Sequence, residues 1–579
     1  MKKLMSLLLA VVMLTSVMAG CSSEDEEESK GAIIPVYLST EITNFDPIYA
    51  YTDVAAAKVL NLIFDGLTTI NEKGEVELEL AKSIKIVENP DEDLYKMQIT
   101  LNKTAWSDGR SVSADDVVYA FKRILEPEFN CDAAAMLFDI KNARAVKTGD
   151  ASIDDLGVYA VDQTVVEIHF EQKIDYELFK EYLASPALVP LREDIVAKHP
   201  DWASITATMV CSGPFYVKSY THGEAMTLER SIYYYRDTEK DEEKLDKFVK
   251  PYRLYVNFKQ SAEEAYAAYQ NGEVLFQSEI PMSQRASAAV EPTDLMNTHT
   301  YVFNTTKAPF NDPNVRKALS MALDRNAIVD IVKYAKAAEG FVPAGVYDTA
   351  IGDDFRANGG SLISASGDIA GAKSLMGSVS AKSFTITIRP TEVNRAVAEY
   401  VKGVWEQLGF SITIKELGRE GYIFNDYDFI RDLFQQAYDS GDFDVIAIDW
   451  QAASTDAFSI LAPFATTFSG GAFDLASGDF SAVPHISGYA DAAYDELIET
   501  VFANKDRASR SAQLHEAEKK LAEAMPVIPL YTNQQAYVIS EELSKIEKNY
   551  YEGFNFKKTK YANYVETTMV DTSAEEPAA

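Results

Sequence analysis

Histidines are the first residues whose spacing could reveal metal or acid–base chemistry. The chain has 6 histidines, and no two of them stand at the spacing that places two metal ligands on one helix face. His515 and Glu516 begin like the zinc-protease motif H-E-x-x-H, but Lys519 occupies the position of the second histidine. The pattern therefore predicts no metal site.

Sequence motifs for nucleophilic, redox and nucleotide chemistry are absent as well. The sequence has no G-x-S-x-G, no repeated C-x-x-C and no G-x-G-x-x-G. The stretch from Gly367 to Ser374 has glycines with the wrong spacing for a phosphate loop, and an amphipathic helix explains it better. Spacing marks no glycosidase-like acid pair among the 89 Asp and Glu residues. We predict no catalytic residue, no cofactor and no enzymatic activity.

Length and charge narrow the remaining classes of function. The chain has 579 residues, which is more than one hydrophobic core can serve, so we expect several domains. Its 54 Lys and Arg residues against 89 Asp and Glu residues give a net charge of −35. A field of this sign repels nucleic acid and anionic lipid surfaces, and we therefore expect no nucleic-acid partner.

The first residues are typical of an exported, lipid-anchored protein. Lys2 and Lys3 precede an apolar stretch that is too short for a good membrane-spanning anchor. Residues 17–21 then read Val-Met-Ala-Gly-Cys and resemble the bacterial lipobox, in which the cysteine is diacylglycerol-modified. We predict a signal peptide over residues 1–20, lipidation at Cys21 and an acidic tether over residues 21–31. A plain secretory signal with an accidental cysteine is the alternative.

Processing at Cys21 would leave Cys131 and Cys211 as the unmodified thiols of the mature chain. Two cysteines permit one disulfide but do not require it. We expect two free, half-buried cysteines.

Apolar periodicity and helix caps predict mixed α and β structure. Ser113 and Asp116 form a capping box at the start of a helical pattern that continues to Leu125. A strand over residues 384–388, a helix over 393–408 and a strand from Ser411 together predict a βαβ unit.

The stretch from Phe443 to Ile448 reads as a buried strand that runs into a loop at Asp449. Ligands of open α/β sheets collect at the carboxyl ends of such strands. This loop is therefore a candidate site on local grounds alone.

Several separated segments of the chain carry a resemblance to known proteins. The most specific is Ala105-Trp106-Ser107-Asp108-Gly109 followed by residues 114–125, and Trp106, Asp108 and Gly109 read as a turn that locks a strand to a helix. The others are Thr43 to Pro47, Asn61 to Leu67, Ser212 to Phe215, Phe303 to Phe310 and Val315 to Leu319. Together, and in the same order over residues 35–535, these segments resemble the solute-binding protein family 5 of ABC importers, which binds peptides or nickel, and specifically its oligopeptide-binding branch.

This resemblance implies an α/β fold of the periplasmic-binding-protein-like type II, in which two lobes are joined by a two-strand hinge. It further implies an extra inserted domain, as in the cluster C proteins. We place the parts of the chain as follows: lobe I over residues 32–75 and 196–302, the inserted domain over 76–195, lobe II over 303–530, and a return to lobe I with a C-terminal tail over 531–579.

In such proteins the lobes close over an extended peptide, and in the oligopeptide-binding branch an Asp three residues after a Trp pairs with the peptide amino group. Trp450 matches that Trp, although it could instead be an ordinary core residue, and Ala453 stands at the position of the Asp. Asp449 and Asp456 lie on either side of Ala453 and could supply the negative charge, or each could instead be a helix cap or turn residue. The resemblance places further ligand-binding or hinge residues at Asn304, Ser212, Gly213 and Tyr531, the last with simple packing as the alternative.

The partners implied are an oligopeptide ligand, the transmembrane permease subunits of an ABC importer, and the membrane through the lipid on Cys21. We expect a monomer that faces the extracellular side of the cell membrane. A non-peptide ligand such as an oligosaccharide or a nickel chelate is the first alternative, and an extracellular hydrolase is the second.

Overall fold

The structure is a computed structural model that describes residues 31–38, 42, 44–50, 54–129, 131–199, 201–204, 207–221, 223–235, 247–286, 290, 292–379, 382–424, 427–469, 485–551 and 553–562. The predicted signal peptide, Cys21 and the end of the C-terminal tail lie outside these residues. No helix in the described ranges has both the length and the apolar character needed to cross a bilayer.

The strands are β1 Ile33–Tyr37, β2 Thr68–Ile70, β3 Val76–Leu78, β4 Ala81–Asn89, β5 Leu94–Leu101, β6 Val158–Asp162, β7 Val165–His169, β8 Phe215–Thr221, β9 Ala225–Arg230, β10 Arg253–Asn257, β11 Phe276–Gln277, β12 Thr293–Phe303, β13 Ala335–Ala337, β14 Ser383–Ile388, β15 Ser411–Glu416, β16 Arg419–Phe424, β17 Tyr427–Asp432, β18 Val445–Gln451, β19 Val527–Gln535, β20 Val538–Ile539, β21 Leu543–Ser544, β22 Glu547–Lys548, β23 Phe554–Asn555 and β24 Lys560–Tyr561.

The helices are α1 Pro47–Ala50, α2 Val54–Ile63, α3 Ala114–Leu125, α4 Ala143–Lys147, α5 Tyr176–Tyr182, α6 Glu193–Val196, α7 Ala262–Asn271, α8 Pro313–Met321, α9 Arg325–Val332, α10 Phe355–Gly359, α11 Ile369–Met376, α12 Glu392–Glu406, α13 Leu433–Asp439, α14 Phe458–Leu461, α15 Ala492–Ala503 and α16 Arg507–Ala524.

Lobe I is built on a six-stranded sheet in the order β20-β11-β1-β10-β9-β8. The central strand β1 runs parallel to both β10 and β11. Ile34, Val36, Leu254 and Val256 of these strands are buried, because helices and loops cover the parallel part of the sheet. The core of lobe I sits around this strand.

The four-stranded antiparallel sheet β4-β5-β7-β6 comes between β1 and β8 along the chain. Helix α3 packs against it and starts at the predicted cap, where the Ser113 backbone N–H donates to Asp116 Oδ2 over 2.8 Å. The indole of Trp106 donates to the same carboxyl group over 3.1 Å. Gly109 has a φ of +89°, a backbone conformation that glycine adopts readily and that residues with a side chain rarely adopt. This segment forms the predicted turn between strand β5 and helix α3.

Lobe II carries the six-stranded sheet β13-β19-β12-β18-β14-β15. The predicted βαβ unit is confirmed: β14, α12 and β15 follow one another, and β14 pairs with β15 in parallel. The chain passes from the lobe I sheet to the lobe II sheet between β11 and β12, and it returns between β19 and β20. Two crossings of this kind form a hinge.

The predicted edges of lobe II at residues 303 and 530 fall inside secondary structure. Strand β12 already begins at Thr293, and β19 continues to Gln535. The chain changes sheet between β11 and β12 and again between β19 and β20, so both strands lie on the lobe II side of the hinge. The division of the chain into domains otherwise stays a proposal.

Cys131 and Cys211 are both free, as predicted, but they are buried and not half-buried, with exposures of 3% and 1%. Burial raises the pKa of the Cys211 thiol to about 12. Because the thiolate is the reactive form, both cysteines should resist thiol reagents in the native protein. We expect no labelling by an aromatic disulfide reagent before denaturation and labelling of both thiols afterwards. Rapid labelling of the native protein would contradict this burial.

Candidate ligand-binding cleft

A cavity of about 570 Å³ lies where the two lobes meet. Ala55 and Glu279 line it from lobe I, and the ends of β14, β18 and β19 line it from lobe II. Cavities of a few hundred Å³ are typical of sites for small molecules. The cleft lies at the carboxyl end of β18, which is the position that the sequence pattern indicated.

Tyr531, His299 and Asp449 form a row across three adjacent strands of lobe II. His299 on β12 stands opposite Asp449 on one side and Tyr531 on the other. The rings of His299 and Tyr531 stack with centroids 4.7 Å apart. His299 Nδ1 lies 2.8 Å from Asp449 Oδ1, and Nδ1 carries the proton because a carboxylate can only accept. The sheet thus holds the Asp449 carboxyl group in a fixed position.

Asn533 adds a second hydrogen bond to Asp449, from Nδ2 to Oδ1 over 2.8 Å. Within the described part of the chain no hydrogen bond reaches Oδ2, and the side chain of Asp449 is 35% exposed. Burial raises its pKa, but attraction by His299 and the hydrogen bonds from His299 and Asn533 outweigh burial and bring the pKa below its usual value. Asp449 is therefore a charged acceptor that faces the cavity.

Arg389 brings a positive charge to the same cavity. It follows β14, which pairs in parallel with β18, so the two side chains project from neighbouring strand ends. Its Nη1 donates to Asp432 over 2.8 Å, and its guanidinium group lies 4.4 Å from the centre of the Phe434 ring. These contacts orient the guanidinium, which remains 27% exposed and can bind an anionic group.

Trp450 lines the cavity but is only 7% exposed. Its ring stacks on Phe464 with centroids 5.1 Å apart and meets the edge of Phe341 at 5.3 Å. Most of its surface therefore packs in the core, which was the alternative to ligand contact. Ala453 also lines the cavity and brings no charge to it.

The prediction that Asp456 could supply a charge to the ligand needs correction. Asp456 is 2% exposed and does not line the cavity. Arg510 donates to both of its oxygens, over 3.0 Å and 2.7 Å, and the Tyr182 hydroxyl donates to Oδ2 over 2.6 Å. Burial raises the pKa of Asp456, but Arg510 and Tyr182 outweigh it and lower the pKa. Its carboxylate is committed to a structural network.

Three further predicted site residues lie away from this cavity, each in a backbone-supporting role. Asn304 closes a turn: its Nδ2 donates to Gly441, and its Oδ1 accepts from Thr306. Ser212 and Gly213 pack against the end of α2, where a Cβ on Gly213 would come within 2.6 Å of backbone. None of the three lines this cavity, and their predicted role at the hinge or the cleft stays a prediction.

Among the residues of the site that sequence patterns did not indicate are Asn533 and Arg389, which line the cavity, and His299, which orients Asp449. Asn533 stands two residues after Tyr531, so alternation along the strand puts both on one face, and this signal could have found it. His299 has no local signal, because its partners Asp449 and Tyr531 are far away in sequence. Arg389 is distinguished only by following a buried strand.

The segment predicted as the inserted domain also contacts the segment predicted as lobe II. Glu181 at the end of α5 is fully buried and pairs with Arg507 of α16 at 2.7 Å. Arg144 of α4 pairs with Glu499 of α15. These two ion pairs join residues 76–195 to residues 303–530.

Known proteins resemble this chain over nearly its full length. The dipeptide-binding protein DppE of Bacillus subtilis is 26% identical over 95% of this chain and 97% of its own length. The oligopeptide-binding protein OppA of the same organism is 26% identical over 94% of this chain and 97% of its own.

Solved structures agree on the fold. OppA of Listeria monocytogenes bound to peptide superposes with a TM-score of 0.75 at 21% identity and covers 92% of this chain and 99% of its own. The murein tripeptide-binding protein MppA of Escherichia coli gives a TM-score of 0.73 at 22% identity, with 92% and 99% coverage. The expected two-lobe type II fold is confirmed.

The family model of the bacterial extracellular solute-binding proteins, family 5, matches residues 75–472. This stretch is more than half of the chain and includes most of lobe II with the strand that carries Asp449. The chain belongs to the extracellular solute-binding proteins of family 5.

Proposed function

We propose that this protein captures short peptides with free termini in the cleft between its lobes and delivers them to the membrane subunits of an ABC importer. The cavity is lined by charged groups of both signs, Glu279, Arg285, Arg389, Arg419 and Asp449, and the observation that carries the proposal is that the Asp449 carboxylate and the Arg389 guanidinium face it from neighbouring strand ends. An amino group suits the first and a carboxylate suits the second. The peptide-binding relatives named above support the same class of ligand.

Closure of the lobes gives the permease a signal that a ligand is present. A ligand shifts the lobes toward the closed state only through its greater affinity for that state. A zwitterionic peptide that bridges Asp449 on lobe II to backbone groups on lobe I gains contacts only on closure. The hinge permits this motion, because the chain crosses between the two sheets at two places.

The proposal includes an anchor at the cell surface. Lipidation of Cys21 followed by the acidic tether would hold the folded lobes outside the membrane, and two acyl chains suffice for stable anchoring. The protein acts as a monomer and without catalysis. Mass spectrometry of the mature protein from its membrane fraction should find a diacylglycerol-modified cysteine at its start.

Native mass spectrometry of the purified protein tests the ligand class. We expect co-purified peptides of mixed sequence that are released on denaturation. A single non-peptide ligand in every preparation would overturn the peptide assignment, and release of cleaved fragments of an added peptide would overturn the absence of catalysis.

Removing the charge of Arg389 should weaken the binding of peptides that have a free carboxylate. We expect Arg389→Gln to reduce affinity by about 10-fold to 100-fold, since a charge-assisted hydrogen bond contributes about 1.5–3 kcal/mol. The matched control is Arg395→Gln, because Arg395 is an exposed arginine that pairs with Glu416 on the same lobe. Calorimetry with a dipeptide and its amide measures the effect. If the amide binds wild-type protein as tightly as the free acid, Arg389 has no such role.

A second candidate keeps the fold but changes the ligand. It rests on Ala453, which leaves an uncharged cavity wall at the position where the oligopeptide-binding branch has an Asp. A probable deoxycholate-binding protein of Escherichia coli is 26% identical to this chain over 88% of it. Thermal-shift screening of bile acids, oligosaccharides and nickel chelates beside dipeptides separates the candidates, because stabilisation grows with ligand concentration over Kd.

A further inference from the structure

Arg285 lines the ligand cleft, and the peptide-capture mechanism above does not use it. It lies in the segment between β11 and β12, where the chain crosses from one sheet to the other. The residue is half-buried. It therefore brings a positive charge to the cavity from the hinge.

Neutral groups hold the Arg285 guanidinium in place. Its Nε donates to the carbonyl oxygen of Ile280 over 3.1 Å, and its Nη1 donates to that of Val332 over 2.8 Å. The centre of the Tyr334 ring lies 5.3 Å from the guanidinium carbon. Within the described part of the chain, Nη2 takes part in no hydrogen bond and is not one of the buried unpaired polar atoms. These contacts fix the guanidinium and leave Nη2 for a ligand.

No carboxylate in the described ranges forms an ion pair with Arg285. Glu279 lines the same cavity, but its carboxylate lies 3.9 Å from Lys58. Arg389, in contrast, is paired with Asp432 at 2.8 Å. A half-buried guanidinium without a counter-charge has lost part of its hydration, so Arg285 gains more than Arg389 from an anionic ligand group.

Arg285 and Arg389 mark opposite ends of one edge of the lobe II sheet. Val332 and Tyr334, which contact Arg285, directly precede β13, and Arg389 directly follows β14. The start of β13 and the end of β14 lie at the same edge, because these two strands run in opposite directions. Four strand spacings of about 4.8 Å separate them, which is roughly 19 Å. One carboxylate therefore does not bind both arginines, whereas Asp449 is on β18, next to β14.

We propose that Arg285 determines specificity by binding an acidic side chain of the captured peptide, so that the cleft prefers peptides that contain glutamate or aspartate. This inference rests on the peptide-binding function proposed above. With the peptide amine on Asp449 and the terminal carboxylate on Arg389, a second carboxylate is the group that Arg285 suits, since its planar fork matches a carboxylate. A neutral side chain would leave the guanidinium without a counter-charge.

The net charge of the protein helps to isolate this local effect. The chain carries a net charge of −35, and a field of this sign disfavours an acidic ligand in general. A preference for an acidic peptide over its neutral isostere therefore requires a specific positive group at the site.

Isothermal titration calorimetry tests the proposal with alanine tripeptides that carry one glutamate, placed at each of the three positions, and with their glutamine isosteres. For at least one position, the wild type should bind the glutamate peptide about tenfold more tightly than the glutamine peptide. Arg285→Gln should abolish this preference. Arg389→Gln should weaken the binding of both peptides alike, because it acts on the terminal carboxylate. The matched control is Arg395→Gln, at an exposed arginine, which should change neither affinity.

A crystal structure of the wild type with the preferred glutamate peptide is the second measurement, and it decides the matter if Arg285→Gln does not fold. It should place the side-chain carboxylate within hydrogen-bond distance of Arg285 Nη2, and a carboxylate elsewhere would overturn the proposal. The proposal also fails if the tripeptides bind but each glutamate peptide binds no more tightly than its glutamine isostere. That result is expected if Arg285 instead holds the terminal carboxylate of longer peptides.

A folded Arg285→Gln protein that keeps the full preference for glutamate would likewise overturn the role of Arg285. Binding of peptides without any such preference leaves the proposed peptide-binding function intact. Binding of none of the tripeptides, in contrast, would overturn that function and this inference with it.

Discussion

Asp449→Asn is expected to cut the affinity for a free-amine dipeptide by about 10-fold to 100-fold, with little change in stability. The amide keeps the shape of the carboxyl group but removes the charge, and a hydrogen bond to a charged group contributes about 1.5–3 kcal/mol. His299 and Asn533 both donate to Oδ1 and leave Oδ2 for the ligand. Calorimetry on protein freed of co-purified ligand measures the loss.

Asp442→Asn is the matched control, because it removes the same charge from an exposed position on the same lobe. The loss should vanish when the dipeptide is N-acetylated, since the blocked amine no longer carries a charge. If Asp449→Asn and Asp442→Asn bind the free dipeptide equally, the amine is held elsewhere.

The pH dependence of wild-type affinity follows from the same carboxylate. The pKa of Asp449 is lowered in the folded protein, so the group stays ionised down to and below the usual Asp value of about 3.9. Peptide affinity should therefore be flat from neutral pH through about pH 5 and fall only in more acidic solution. A fall centred between pH 6 and 7 would instead implicate a histidine, by the usual histidine pKa of about 6.5.

Local patterns in the sequence predicted those parts of the fold that are formed by residues close together in the sequence. The βαβ unit and the cap of α3 follow from spacing and cap residues within a few positions. The predicted edges of lobe II at residues 303 and 530 fall at the end of β12 and within β19, and both strands pair with the lobe II sheet. Local periodicity predicts a strand but does not show which sheet the strand joins.

The candidate site, too, could be predicted from the sequence only in part. Asp449 and Asp456 stand close together in sequence and look alike, yet one faces the cleft and the other is buried. Arg510, 54 positions away, and Tyr182, 274 positions away, decide this difference. Only tertiary structure brings those partners to Asp456, so no spacing rule could have separated the two carboxylates.

Asp456→Asn should destabilise the protein by about 3–5 kcal/mol, because it leaves the Arg510 guanidinium buried without its counter-charge. Arg510 and Asp456 have side-chain exposures of 7% and 2%. Their pairing stabilises the fold above the unfolded pKa of Asp, about 3.9, and that contribution is lost as pH falls through the lowered folded value. Urea unfolding at neutral pH measures the change.

The double variant Asp456→Leu with Arg510→Met tests whether the unpaired buried charge of Arg510 causes the loss of stability. If the buried charge is the source of the loss, replacing both partners by apolar residues should recover most of the stability that the single substitution removes. The affinity of folded Asp456→Asn for a dipeptide should fall much less than that of Asp449→Asn, since Asp456 does not line the cleft. The opposite result is an Asp456→Asn protein that is as stable as the wild type but binds the dipeptide poorly. Asp456 would then be the residue that pairs with the charge of the ligand, and its ion pair with Arg510 would not stabilise the fold.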